Sequence, residues 1–181
     1  MNTRISVLQT ALAAAMLFPI VSTPVSAADV CRTIGDATAK IWQVPVHLYS
    51  SETAAFYGKQ AKTSESIYTS SGEIFVMVSG RWTRSRMTIA ELKAARNEGK
   101  ETPKQTCSYV RDEAVNGEAA SVYSRHAEEE DFKTDMTVWI SKSRNLPLRS
   151  ESDMDVGGAM GKSHRSTRYE YSNVQPPPGV K

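Results

Sequence analysis

The chain lacks most of what a catalytic or metal site requires. Its 181 residues include only two cysteines and three histidines, without a C-x-x-C pair or closely spaced histidines that could ligate a metal. It has neither a G-x-S-x-G turn nor an S-x-x-K motif, so no serine nucleophile is recognisable. The 22 basic and 20 acidic side chains nearly balance, which leaves no strong field to attract nucleic acid. These absences predict a non-enzymatic protein without a cofactor, a metal or a nucleic-acid partner.

Long hydrophobic runs are also missing, except at the N-terminus. Arg4 precedes an apolar stretch at 8–21, and Val25-Ser26-Ala27 has the small residues of a signal-peptidase site. The stretch is too short and too interrupted to span a bilayer. We therefore predict a cleaved signal peptide at 1–27, a periplasmic location and no membrane span in the mature protein. Cys31 does not directly follow the cleavage point, so a lipoprotein anchor is not expected.

The two cysteines, Cys31 and Cys107, would both remain in the mature chain. Two thiols in an oxidising compartment usually pair, and nothing nearby supports a catalytic or metal-binding role. We predict one intramolecular disulfide. Closing a loop of this length should stabilise the fold by about 4 kcal/mol through the entropy of the unfolded chain.

About 154 residues remain after cleavage, which is the usual size of one domain. We place this domain at 28–175 and assign 176–181 to a proline-containing tail. Apolar spacing predicts an amphipathic helix at 29–43, and Thr88 with Glu91 forms a capping box for a second helix. The clearest hairpin signal is Asn116-Gly117. Strand patterns occur at 44–50, 64–69, 73–82 (with Gly80 as a bulge), 107–115, 118–127, 132–154 (two strands joined by a turn at 143–145) and 163–173.

Two of these strands carry apolar side chains on both faces. In the strand that follows Phe132, Val138 and Ile140 share one face and Trp139 points to the other. A strand of this kind needs cover on both sides, which helices or a ligand can supply. Each such residue can equally be ordinary core, and the pattern does not say which face is concave. Taken together, the candidate ligand-binding residues are Phe75, Met77, Trp82, Met136, Trp139 and Leu148.

The C-terminal third resembles the LolA/LolB-like lipoprotein-sorting superfamily. The resemblance rests on three segments: Val138-Trp139-Ile140-Ser141-Lys142, Leu146-Pro147-Leu148-Arg149, and Arg168-Tyr169-Glu170-Tyr171-Ser172-Asn173-Val174. It implies a β-dominated α+β fold, in which a twisted antiparallel sheet forms an incomplete barrel and helices cover the concave face. It also implies an apolar cavity for acyl chains.

Two functions are therefore predicted from the sequence. The first is a periplasmic, non-enzymatic carrier for a lipid, an acyl chain such as that of a lipoprotein, or another hydrophobic ligand. The alternative is an envelope protein–protein interaction module whose core is filled by its own side chains. An empty apolar cavity would favour the first, and a packed one the second.

Overall fold

A computed structural model describes residues 26–58, 60–97, 104–129, 132–157 and 161–180. The predicted signal peptide therefore lies outside the described residues, apart from Ser26 and Ala27. Within the described ranges, no helix is long and apolar enough to cross a membrane.

The described residues form nine strands and two α-helices. All strand pairs are antiparallel, in the order β4-β3-β2-β1-β9-β8-β7-β6-β5, so that β4 and β5 are the edges of an open sheet. The predicted β-dominated incomplete barrel is confirmed. Along the chain the elements are α1 (Ala27–Lys40), a 3₁₀ turn (Ile41–Gln43), β1 (Val46–Ala54), a second 3₁₀ turn (Ala55–Tyr57), β2 (Lys62–Tyr68), β3 (Ile74–Val78), β4 (Arg81–Arg84), α2 (Ile89–Asn97), β5 (Lys104–Val115), β6 (Glu118–Glu128), β7 (Lys133–Ser141), β8 (Pro147–Asp155) and β9 (Lys162–Glu170).

Helix α1 packs on one face of the sheet, over β5 to β7. Its buried residues Val30, Ile34 and Ala37 follow helical spacing and form a core with Val138 and Ile140. The predicted disulfide is confirmed: Cys31 is bonded to Cys107 of β5, with 5.2 Å between their Cα atoms. The helix is thus fixed to the sheet both covalently and by burial. We call this side of the sheet the helix face.

Strand β7 is apolar on both sides, as predicted. Trp139 points away from the helix face and packs with Ala120, Val122 and Leu148. We call this second side the opposite face. The central strand therefore has a core on each side, and the chain's own side chains form both of them.

One strand prediction is wrong. Residues 73–82 do not form a single strand with a bulge at Gly80, because Ser79 and Gly80 form the turn of a hairpin between β3 and β4. Both residues have positive φ, 51° and 76°, as in the type I′ turns that match the twist of paired strands. Trp82 consequently lies beside Met77 on the neighbouring strand.

Two other local predictions are confirmed. Asn116 and Gly117 have φ of 51° and 83° and join β5 to β6. The capping box begins α2: the Thr88 backbone N–H donates to Glu91 Oε2 at 2.7 Å, and the Glu91 N–H donates to Thr88 Oγ1 at 3.2 Å. Asn145, in the turn after β7, has φ 53°, a left-handed conformation that asparagine tolerates better than most residues.

Candidate functional site

The structure places the six candidate ligand-binding residues in three separate locations. Met136 packs on the helix face, against the core beneath α1. Trp139 and Leu148 belong to the packed core of the opposite face. Phe75, Met77 and Trp82 lie near the other end of the sheet, on β3 and β4. No single cavity therefore holds all six.

Strand register shows that Trp82 and Trp139 nevertheless share a face. Trp139 is opposite Arg149, which is opposite Arg168, which in turn is opposite Tyr49. Tyr49 is opposite Glu65, two residues from Ile67, which is opposite Phe75. Met77, two residues from Phe75, is opposite Trp82. The guanidinium of Arg149 lies 4.8 Å from the Trp139 ring, and that of Arg168 lies 4.1 Å from the Tyr49 ring. These two arginines separate the apolar groups at the two ends of the face, which is why the ends do not merge into one cavity.

Near β4, side chains of β1, β2 and β4 form what we call the aromatic groove: His47, Tyr49, Ile67 and Trp82. His47 and Tyr49 are two residues apart on β1, so both project from the same face. Their rings stack at 4.0 Å, and the Trp82 ring meets His47 edge-on at 5.7 Å. Ile67 is the cross-strand neighbour of His47. The groove therefore combines rings from two strands with a buried aliphatic side chain.

Hydrogen bonds hold the imidazole of His47 in place. Its Nε2 is 3.0 Å from a carboxylate oxygen of Glu65, and its Nδ1 is 2.9 Å from the Tyr49 hydroxyl. Both ring nitrogens are thus engaged, and the ring cannot turn without losing a partner. This makes one end of the groove rigid and polar, while Ile67 and Trp82 keep the other end apolar.

The C-terminal segment lies over the groove, and the two together line an open cavity of about 420 Å³. Ligand sites in proteins have volumes from about 300 to 1,000 Å³. Of the six predicted residues, Trp82 borders this cavity. Sequence reasoning missed the rest of its lining, although the alternation of His47 and Tyr49 and the proline run were visible signals. The complete lining is His47, Tyr49, Glu65, Ile67, Trp82, Glu170 and 172–178.

The start of the C-terminal segment is anchored where the β7–β8 turn meets the sheet. The Tyr171 hydroxyl donates to the Pro147 carbonyl at 2.6 Å, and burial raises the pKa of this phenol above its ordinary value. Close by, Arg144 donates to both carboxylate oxygens of Glu118, at 2.9 and 2.5 Å. This contact, together with the Ser141 hydroxyl, lowers the pKa of Glu118. The anchor therefore combines a buried hydrogen bond with an ion pair.

Two further cavities, of about 540 and 320 Å³, share Asp135 and Asp153 as lining residues. The carboxylates accept hydrogen-bonding contacts from His126 at 2.7 Å and from His164 at 2.8 Å. Much of this lining is charged or hydroxylic. In the part of the chain that the structure describes, no three histidine, cysteine, aspartate or glutamate side chains are grouped to hold a metal ion.

Comparison with known proteins finds similarity only at the level of structure. No protein-family model matches the chain, and no curated protein sequence matches it. One similar solved structure is MucB in complex with MucA(peri), at 11% identity and a TM-score of 0.46. That alignment covers 84% of this chain but 60% of the MucB chain. The protein therefore spans less than two thirds of that structure's length.

The alignments with two other similar structures include almost all of those chains. An outer membrane lipoprotein-sorting protein domain from Vibrio parahaemolyticus aligns at 11% identity and a TM-score of 0.32, over 83% of this chain and 95% of the other. A LolA superfamily protein from Nitrosomonas europaea aligns at 10% identity and a TM-score of 0.28, over 86% and 96%. Such similarity concerns the general fold, and ligand and partner do not follow from it. The chain is similar to these lipoprotein-sorting proteins in general fold only.

Proposed function

We propose that the protein is a non-enzymatic periplasmic binding protein that holds an apolar chain, such as an acyl chain, in the aromatic groove. The observation that carries this proposal is the cavity of about 420 Å³ between Ile67, Trp82 and the C-terminal segment. The disulfide between Cys31 and Cys107 supports an oxidising compartment. Met77, the cross-strand neighbour of Trp82, extends the apolar side of the site.

The chemistry of the groove suits an amphiphilic ligand that is bound weakly. An acyl chain that buries about ten methylenes gains roughly 8 kcal/mol at about 0.8 kcal/mol each. Association costs of about 4 kcal/mol or more leave a net of only a few. A ligand bound this loosely can be passed on to an acceptor. The polar end of the groove, at His47 and Glu65, would face the ligand's headgroup.

Replacing Trp82 with alanine should weaken binding of a fluorescent fatty acid about tenfold or more, because the indole supplies one wall of the cavity. Trp42→Ala is a matched control. The Trp42 ring stacks on the Tyr68 ring with 5.3 Å between the ring centroids. The cross-strand neighbours of Tyr68 project on the helix face, so this tryptophan is not on the face that carries the groove. The control should keep the affinity of the unaltered protein. Titration of delipidated, refolded protein measures both, and a melting curve verifies that each variant is folded. Equal affinity of Trp82→Ala and unaltered protein would exclude the groove as the site.

A second function is favoured by a different observation. Edge strand β5 exposes Tyr109 to 51% and Val110 to 46%, at the position where its pairing with β6 shifts by one residue. An exposed edge can add a strand from another protein. The predicted interaction module would use this edge, and the packed cores around Trp139 and beneath α1 are consistent with it.

Site-specific cross-linking tests the edge directly. Both native cysteines are in the disulfide, so Val110→Cys introduces a single free thiol. A thiol-directed cross-linker applied in the periplasm should then join the protein to one partner of defined mass. Val78→Cys is the control, because Val78 is 55% exposed but is paired with Arg81 in the β3–β4 hairpin, away from edge strand β5. The same adducts from both positions, or none from Val110→Cys, would contradict the interaction role.

A further inference from the structure

We propose that residues 172–178 are an intramolecular ligand of the aromatic groove, which recognises an extended proline-containing segment. The docking of the segment does not depend on the proposed function. The effect of docking on acyl binding rests on that function. The segment contributes seven consecutive residues to the wall of the cavity in front of His47, Tyr49 and Trp82. It therefore lies across the groove as one wall of the cavity and is not a free tail.

The path of the chain directs this segment onto the groove. Tyr171 is fixed to the Pro147 carbonyl, and two residues later Asn173 adopts a left-handed φ of 56°. The chain bends at 172–173 after β9, and the following residues line the cavity together with His47 and Trp82. Gly179, with φ 77°, turns the chain again after the last proline. The segment is bounded by a turn at each end.

The composition of the segment explains how it can dock. Proline has no backbone N–H and a fixed φ, so 176–178 cannot extend the sheet as a strand but can present pyrrolidine rings at little cost in entropy. Pro177 is buried, while Pro176 and Pro178 are exposed. Docking of proline rings into an aromatic-lined groove is a recurrent mode of peptide recognition. The central ring is thus the anchor of this contact.

The segment can also be released from the groove. Among the described residues, no backbone hydrogen bond joins 174–178 to a strand, and the segment follows the last strand, so releasing it breaks no sheet pairing. A short acyl chain fits in the cavity with the segment in place, whereas a longer chain needs part of the space that the segment occupies. The affinity for such a ligand is then reduced by the fraction of molecules in which the groove is covered.

A peptide-binding experiment tests the docking without any lipid. The protein ending at Asn173 should bind a fluorescent peptide of residues 172–181, measured by anisotropy. The full chain should bind it at least tenfold more weakly, because a tethered segment acts at an effective concentration in the millimolar range. A peptide with serine in place of all three prolines should not bind. Equal binding by truncated and full-length protein, or equal binding of the serine peptide, would overturn the proposal.

A full-length variant guards against a truncation that fails to fold. Pro177→Ser removes the anchor but keeps the chain length, and should allow the added peptide to bind about as well as to the truncated protein. Pro178→Ser, an exposed neighbour, should leave the groove covered. Failure of Pro177→Ser to admit the peptide would count against the proposal.

The acyl assay separates this inference from the proposed function. If both hold, the truncated protein binds the fluorescent fatty acid at least tenfold more tightly than the full chain, and the added peptide reverses the gain. Peptide binding without fatty-acid binding would refute the proposed function alone. Fatty-acid binding that is unchanged by truncation, with no peptide binding, would refute the inference alone.

Discussion

Replacing Trp139 with alanine should lower the free energy of unfolding by about 3 kcal/mol, at the lower end of the range for a buried aromatic side chain. Trp139 is only 4% exposed and fills the space between Ala120, Val122 and Leu148. Alanine would leave a cavity there and remove the ring beneath Arg149. The indole N–H has no partner at hydrogen-bonding geometry, so its removal leaves no acceptor without a hydrogen bond. The expected loss of stability is therefore small for a buried aromatic side chain.

The indole does lie close enough to Glu113 to lower the pKa of that carboxyl, after the larger effect of Arg111. Glu113 is paired with Arg111, so loss of the indole leaves this carboxylate with its main partner. Urea unfolding followed by circular dichroism measures the change. Trp82→Ala provides the comparison, because Trp82 is only partly buried and should lose markedly less. A Trp139→Ala protein that remains as stable as the unaltered one but no longer binds the fatty acid would make Trp139 a ligand contact and not core.

Removing the disulfide should have the largest effect, lowering the free energy of unfolding by about 4 kcal/mol. The bond between Cys31 and Cys107 joins residues 76 positions apart, and it closes a loop that contains α1, four strands and α2. Without it, the unfolded chain regains the entropy of that loop. Helix α1 would then be held on the sheet by the packing of Val30, Ile34 and Ala37 alone.

The Cys31→Ser, Cys107→Ser double variant, compared with the oxidised protein in urea, measures this loss. Adding a thiol reductant should destabilise the unaltered protein to about the same extent and leave the double variant unchanged. If the reductant lowers the stability of both proteins equally, the disulfide is not its target. Two free thiols in freshly isolated protein would contradict the bond itself.

Features that depend on neighbouring residues were predictable from the sequence. The apolar spacing of α1, the Thr88 capping box and the Asn116-Gly117 turn each involve residues within a few positions of one another, and all three are confirmed. The Ser79-Gly80 turn was equally local. It was misassigned because the apolar alternation continues through it, and periodicity alone does not distinguish a bulge from a reversal.

The candidate site depends on contacts between distant strands, which the alternation of apolar and polar residues does not reveal. The pattern in β7 assigned Val138 and Trp139 to different faces, but it did not state which strands would lie beside them. Strand β1 pairs with β9, more than a hundred residues away, and this pairing brings Tyr49 next to Arg168. The arginines between Tyr49 and Trp139 then divide one face into two apolar ends. The six candidate residues are separated for that reason.

By itself, the sequence determined the class of fold, the cysteine pair and the need of β7 for cover on both sides, because period-two alternation, turn chemistry and thiol oxidation are properties of short segments or of composition. Only the tertiary structure decided that packed side chains supply this cover, and that a groove opens at His47 and Trp82 beneath the proline segment. Its walls come from β1, β2, β4 and the C-terminal segment. These distant parts of the chain meet only through the order and register of the whole sheet, which no local pattern encodes.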